Sequence, residues 1–288
     1  MAHRLTEQQW RPLESAHHAR VDAVTAAHLN RRLGARTHPV EDFLFTYYMN
    51  SPAQLRRWHA GPEFLLEGAS ERAEWKLYRY ADGAARMDLA AFLAARSDTV
   101  SFVRGLLAAT VARPAQLGCF GLHEWAMVYR QSTDAVRHHE WPLRLGTAAT
   151  DKVVETHQVT CSHFDAYRFF TSSAHTLNTL SPTRDSQVAM EQPGCLHANM
   201  DLYKWAYKLS PAIPSAPTLD CFDLARKIRK LDIRAAPYDL RPIGVQPTPH
   251  HTTEAQPSYH PPTLTLAARL QMTCARTTVP RTHTLVTS

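Results

Sequence analysis

No two of the five cysteines form a Cys-x-x-Cys pair: Cys119, Cys161, Cys195, Cys221 and Cys274 are an odd, widely spaced set in a chain of 288 residues. That argues against a disulfide framework and against a zinc ribbon, and it predicts a reduced, cytoplasmic setting. Long apolar runs are missing as well. Met1 to Trp10 holds no apolar signal-peptide core, and no stretch approaches the roughly 20 apolar residues that span a bilayer. A soluble protein without a membrane partner is therefore expected. Internal repeats are absent, apart from a faint echo between two Cys-x-His stretches.

Enough is present for folding. An apolar fraction of 44% supports a real core and excludes disorder throughout. A formal charge of +6 permits an anionic partner such as DNA, although the basic residues are scattered rather than gathered in one block. The composition leaves the oligomeric state open.

Apolar spacing and punctuation predict a mainly α-helical single domain over residues 5–240, a minor β element, and a disordered Pro/Thr/His-rich tail over 241–288. Glu7 to Leu33 reads as a helix with Leu13, Ala16, Val21, Val24 and Leu29 as its apolar stripe, stopped by Gly34. Val40 to Met49 reads as a buried helix, and Pro52 opens a short one. Glu74 to Tyr80 alternates as a strand would, with Asp82-Gly83 as its turn. Asp88 to Arg96 and Thr99 to Ala112 read as two helices, and His123 to Arg130 as another. Asp151 to Val159 fits a strand or a helix, leaning towards a strand near its end. A long polar connection leads to Gly194, and Thr218 to Leu231 is an amphipathic helix with Leu219, Phe222, Ile228 and Leu231 on its apolar face. His250 and His251 lie in the tail, where a solvated segment explains them better than a metal site.

The most informative stretch runs from Pro193 to Leu209. On helical spacing His197, Asp201, Lys204 and Lys208 form one stripe, with Met200, Tyr203 and Tyr207 beside it on an aromatic face. A solvated helix face would explain a lone stripe. Two further stretches repeat its chemistry: Cys161-Ser-His163-Phe-Asp165, and His123-Glu124-Trp125. Imidazole is the commonest metal ligand, so His123, His163 and His197, brought together from separate segments, would make an open site for one zinc or iron ion. The competing reading is that, in a chain of 17 histidines, these three are ordinary core and surface residues.

Around that set, Glu124 would act as a general base or orienting carboxylate, and Asp165 and Asp201 would orient an imidazole or act on substrate. Asp201 lies one helical turn from His197 and is expected to hold its ring. Without metal, the same residues suit N-glycosidic cleavage. Glu124 or Asp201 would then activate water, Trp125, Tyr203 and Trp205 would hold an extruded base, and Lys204, Lys208 and Arg184 would face phosphates. Aromatic residues at helical spacing are otherwise core. Cys161 or Cys195 as a nucleophile has no surrounding signature.

Gly118 to Tyr129, Cys161 to Phe170 and Gly194 to Lys208 resemble stretches of an actinobacterial family commonly labelled 3-methyladenine DNA glycosylase. The likeness covers about Trp10 to Leu240; beyond Leu240 this chain departs from the charged, helix-forming end of that family. The resemblance implies a hydrolase that removes an alkylated base from DNA. The chain lacks the Gly-rich hairpin followed by Asp that marks the helix-hairpin-helix glycosylases. Two other readings stay open: a metal-dependent enzyme acting on a small molecule through the histidines, and a non-catalytic nucleic-acid binder. The last explains the charge but leaves the histidine and carboxylate set unexplained.

Overall fold

The computed structural model describes residues 2–132 and 141–248, and the architecture there is mainly helical with one small sheet. His138, His139 and Glu140, His250 and His251, Cys274, and the tail from residue 249 lie outside the described residues. The first helix, α1 (Glu7–Leu33), starts where the Gln9 side chain accepts the Thr6 N–H at 2.9 Å. It ends at Gly34, with Arg31 and Arg32 in the last turn where the helix dipole favours cations. Its buried face is Trp10, His17, Val21, Thr25 and His28, whereas Leu13 and Leu29 are exposed. This corrects the expected stripe. The Leu55 carbonyl meets the His17 ring and Asp42 meets the His28 ring, so imidazoles can be buried there without loss of hydrogen bonding.

Two short helices follow, α2 (Phe43–Tyr47) and α3 (Pro52–Arg56), so the apolar run 40–49 is only partly helical and Met49 is exposed. The sheet has four strands, β1 (His3–Leu5), β2 (Phe64–Glu67), β3 (Tyr78–Ala81) and β4 (Ala84–Met87), in the order β1-β2-β4-β3. β1 runs parallel to β2 and the other pairings are antiparallel, with the turn at Asp82-Gly83 joining β3 to β4. The strand read around Tyr78 is thus one arm of a sheet. Asp88 caps α4 (Leu89–Val111) by accepting the Ala91 N–H at 3.0 Å. This is one continuous helix rather than two, because the polar residues Ser97 and Asp98 face solvent on it instead of interrupting it.

The second half carries α5 (Leu122–Ala126), α6 (Gly146–Thr156), α7 (Phe164–Tyr167), α8 (Ser172–His175), α9 (Gln187–Met190), α10 (Leu196–Lys208) and α11 (Ser215–Ala235). The 151–159 segment is helical to Thr156, and Val159 makes only an isolated bridge with Asn178. Residues 241–248, expected in the tail, fold back on α11: Thr248 donates to the Arg234 carbonyl and Arg234 to that of Gln246. No helix among the described residues is long and apolar enough to cross a membrane.

The main core joins α1, α4, α10 and α11 through Val21, Phe92, Leu106, Met200, Tyr203, Leu219 and Phe222. Burial of each such side chain stabilises by roughly 1.5–3 kcal/mol. A second cluster, around Trp125, Tyr129, Val154, Cys161 and Phe170, packs α5 to α8. The three histidines of interest lie on α5, just before α7, and on α10, so they come from both clusters.

Candidate metal centre

Each histidine is placed by a local device. Gly121 takes φ 71°, a left-handed conformation that suits glycine, and turns the chain into α5 and His123. Asn178 clamps the Cys161 backbone from both sides, accepting its N–H at 2.7 Å and donating to its carbonyl at 2.9 Å, which sets the segment bearing His163. Before α10 the Gln192 amide grips the Gln116 backbone in the same two-bonded way. Gly194 lies in that junction, and a Cβ there would stand 2.5 Å from the Gln116 carbonyl oxygen. Gly194→Ala is expected to destabilise the protein by about 1–3 kcal/mol, read as a lower urea midpoint, because backbone rather than a flexible side chain would have to move.

His123, His163 and His197 converge in the interior and are 3%, 1% and 8% exposed. The ring centres of His123 and His197 are 4.5 Å apart, and those of His163 and His197 5.4 Å. They do not form one three-histidine set. Two groups of donors stand side by side: His123, His197 and Asp232, and His163, Glu191 and Asp201. Donor atoms bound at about 2.1 Å to a single tetrahedral ion are about 3.4 Å apart. His123 Nε2 stands 3.1 Å from Asp232 Oδ1, and His163 Nε2 stands 3.4 Å from Glu191 Oε1 and 3.5 Å from Asp201 Oδ2.

Orientation matters as much as distance. The Cys119 carbonyl is 3.4 Å from His123 Nδ1 and accepts its N–H, which turns Nε2 towards the site. His123 Nε2 and Asp232 Oδ1 are both buried and form an ion pair at 3.1 Å, without the alignment of a hydrogen bond. Asp232 is aimed by its other oxygen, which accepts from Arg229 Nη1 at 3.2 Å; the same Nη1 donates to Glu124 Oε1 at 3.0 Å. These buried groups could hold a metal ion.

Electrostatics separate the two rings of the first group. Burial opposes the charged form of His123, but Asp232 outweighs it and raises the pKa from the usual 6.5 to about 9. For His197, burial and the neighbouring His123 act together and push the pKa well down, so its imidazole is neutral. Burial would raise Asp232, yet His123 and Arg229 hold it below the usual carboxylate range.

Asp201 does not orient His197, contrary to expectation. It accepts from Tyr48 Oη at 2.9 Å and from Lys204 Nζ at 2.7 Å, and faces His163 instead. At one turn's separation on α10 both His197 and Asp201 point inward, but towards different donor groups. Lys204 also binds Asp165 at 3.0 Å, so it joins two carboxylates rather than offering a free cation to phosphate.

A cavity of about 530 Å³ opens beside His197, in the range of small-molecule sites, and Glu124, Asp165 and Arg229 line it. Its aromatic wall comes from Phe43, Tyr47, Trp141, Phe169 and Tyr238. The aromatic residues expected from the sequence stand elsewhere. Trp125 is fully buried and donates to the Ala235 carbonyl, Tyr203 accepts from Asn50, and Trp205 packs edge-on against Phe102. Helical spacing put them on the core face. Lys208 and Arg184 are exposed at the surface.

Glu191, Arg229 and Asp232 escaped sequence reasoning. Asp232 was detectable, because it lies four residues after Ile228 and so on the buried stripe of α11, where an unexplained carboxylate signals a site. Glu191 sits just past α9, and only tertiary structure brings it to His163. Among the described cysteines, Cys119, Cys161, Cys195 and Cys221 are not joined by disulfides. Cys161 is buried, and the Cys119 thiol beside it and the nearby histidines push its pKa down against the effect of burial. The chain matches no family model, no curated protein and no solved structure.

Proposed function

We propose that the chain is a metal-dependent enzyme acting on a small molecule bound in the aromatic-walled cavity, with iron or zinc held by His123, His197 and Asp232. The observation that carries this reading is the convergence of three buried donors, His123, His197 and Asp232, with His123 Nε2 3.1 Å from Asp232 Oδ1. Two imidazoles and one carboxylate suit iron(II) or zinc and leave positions open for water or substrate. An ion bound there would polarise a substrate oxygen or activate water. The protein's own side chains hold the geometry. Arg229 fixes one oxygen of Asp232, Glu124 neutralises Arg229 at the cavity wall, and the five aromatic side chains hold an apolar, planar substrate and exclude water.

Elemental analysis of the purified protein is the test. Stoichiometric iron or zinc is expected, and Asp232→Asn should lower the content by one ion per chain while circular dichroism stays helical. Wild-type protein that binds neither metal on reconstitution would overturn the proposal.

A second reading is base excision from alkylated DNA, and it has one structural observation in its favour: Glu124 shares the cavity with the five aromatic side chains. Release of a methylated base by metal-free protein, lost in Glu124→Gln, would favour it over the metal-dependent reading.

A further inference from the structure

We propose that His163, Glu191 and Asp201 bind a second divalent transition-metal ion, making the buried centre a two-ion site. The inference rests on reading this region as metal-binding, but on different atoms from those that hold the first ion. Both carboxylate oxygens face His163 Nε2, at 3.4 Å from Glu191 and 3.5 Å from Asp201, which is the separation expected of donors sharing one ion. His163 is 1% exposed and neither of its ring nitrogens makes a hydrogen bond. Nδ1 has no partner and Nε2 meets the two carboxylates only at ion-pair distance, so an ion at Nε2 would give that nitrogen the bonded partner it lacks.

The charges point the same way. Asp201 is offset by Lys204 and by the Tyr48 hydroxyl. Glu191 is 2% exposed, and its side-chain partner besides His163 is the neutral amide of Gln187. Among the described residues, no lysine or arginine forms an ion pair with Glu191. Lys204 Nζ bonds Asp201 and Asp165 rather than Glu191, so a divalent cation among the three donors would pair both buried carboxylates. Nitrogen and oxygen donors without thiolate suit manganese, iron or zinc. His197 lies between the two donor groups, its ring near those of both His123 and His163, so the second ion would stand next to the first and could act on the same substrate.

The test counts ions. Full-length protein is stripped with chelator, reconstituted anaerobically with excess iron(II) or with zinc(II), desalted, and measured by elemental analysis. Two ions per chain are expected in the wild type, one in Glu191→Gln, one in Asp232→Asn and none when the two changes are combined. Glu191→Gln keeps side-chain volume, and its thermal melt checks the fold; His163→Ala serves as a second variant. One ion in the wild type, undiminished in Glu191→Gln and His163→Ala, would overturn the second site and leave the proposed function standing. One ion lost in Glu191→Gln but kept in Asp232→Asn would support this site and overturn the first. No ion at all would overturn both.

Discussion

Arg229→Met is expected to destabilise the metal-free protein by about 3–5 kcal/mol, the usual effect of removing one partner from a buried ion pair. Nη1 of Arg229 donates to Glu124 Oε1 at 3.0 Å and to Asp232 Oδ2 at 3.2 Å, and its guanidinium lies 3.9 Å above the centre of the Phe43 ring. Arg229, Glu124 and Asp232 are 5%, 8% and 0% exposed, so solvent cannot take over when the cation leaves. Methionine keeps much of the aliphatic stem, which confines the loss to charge and hydrogen bonding rather than to a large cavity. Urea unfolding gives the measurement. Adding Glu124→Gln should recover part of the loss, since one of the two stranded carboxylates is then neutral. Bound metal should reduce the effect, because an ion on Asp232 offsets the second. A change below about 1 kcal/mol in the metal-free protein would mean that water enters the site and that the pair is not desolvated.

The same arrangement shows which parts of the molecule sequence alone makes legible. α10 and α11 are visible because the relevant signals are local: an apolar period of 3.6 residues and a Pro/Gly boundary before each helix. α1 has correct ends but a misread face, because counting aliphatic residues favours Leu13 and Leu29 over His17, Thr25 and His28. The polar residues on that face become buriable only when Leu55 and Asp42 arrive from elsewhere in the chain. β1 and β2 have three and four residues, too few to show an alternation, and their pairing joins residues about 60 positions apart. At the centre, the repeated Cys-x-His pattern marks His163 and His197, and the His-Glu-Trp segment marks His123. Their division between two carboxylate groups was hidden. It depends on how α9 and α11 approach the histidines, and on Asp201 finding Tyr48 and Lys204 rather than the ring one turn before it.

Metal affinity at the first site should rise about tenfold per pH unit from pH 7 to 9, roughly 100-fold in total, and then level off. The protons of the metal-free protein set the slope. His123, opposed by burial but supported by Asp232, has its pKa raised to about 9, so at neutral pH its Nε2 carries a proton that an ion must displace. His197 is already neutral, and Asp232 is already ionised, so neither adds a second proton to the exchange. The slope is therefore one proton. Stability of the metal-free protein should move the opposite way. A histidine whose folded pKa exceeds its unfolded value of 6.5 contributes stability that is complete below pH 6.5 and lost as pH rises through about 9. The midpoint of thermal unfolding should thus fall between pH 7 and pH 10 without metal, and hold level over that range when the ion replaces the proton. Chelator competition across the pH series, carried out on Glu191→Gln so that only the first site is counted, measures the affinity. Affinity independent of pH from 7 to 9 would show that His123 is neutral before the ion arrives, or that it is not a ligand. An unchanged affinity in His123→Gln would decide for the second of these.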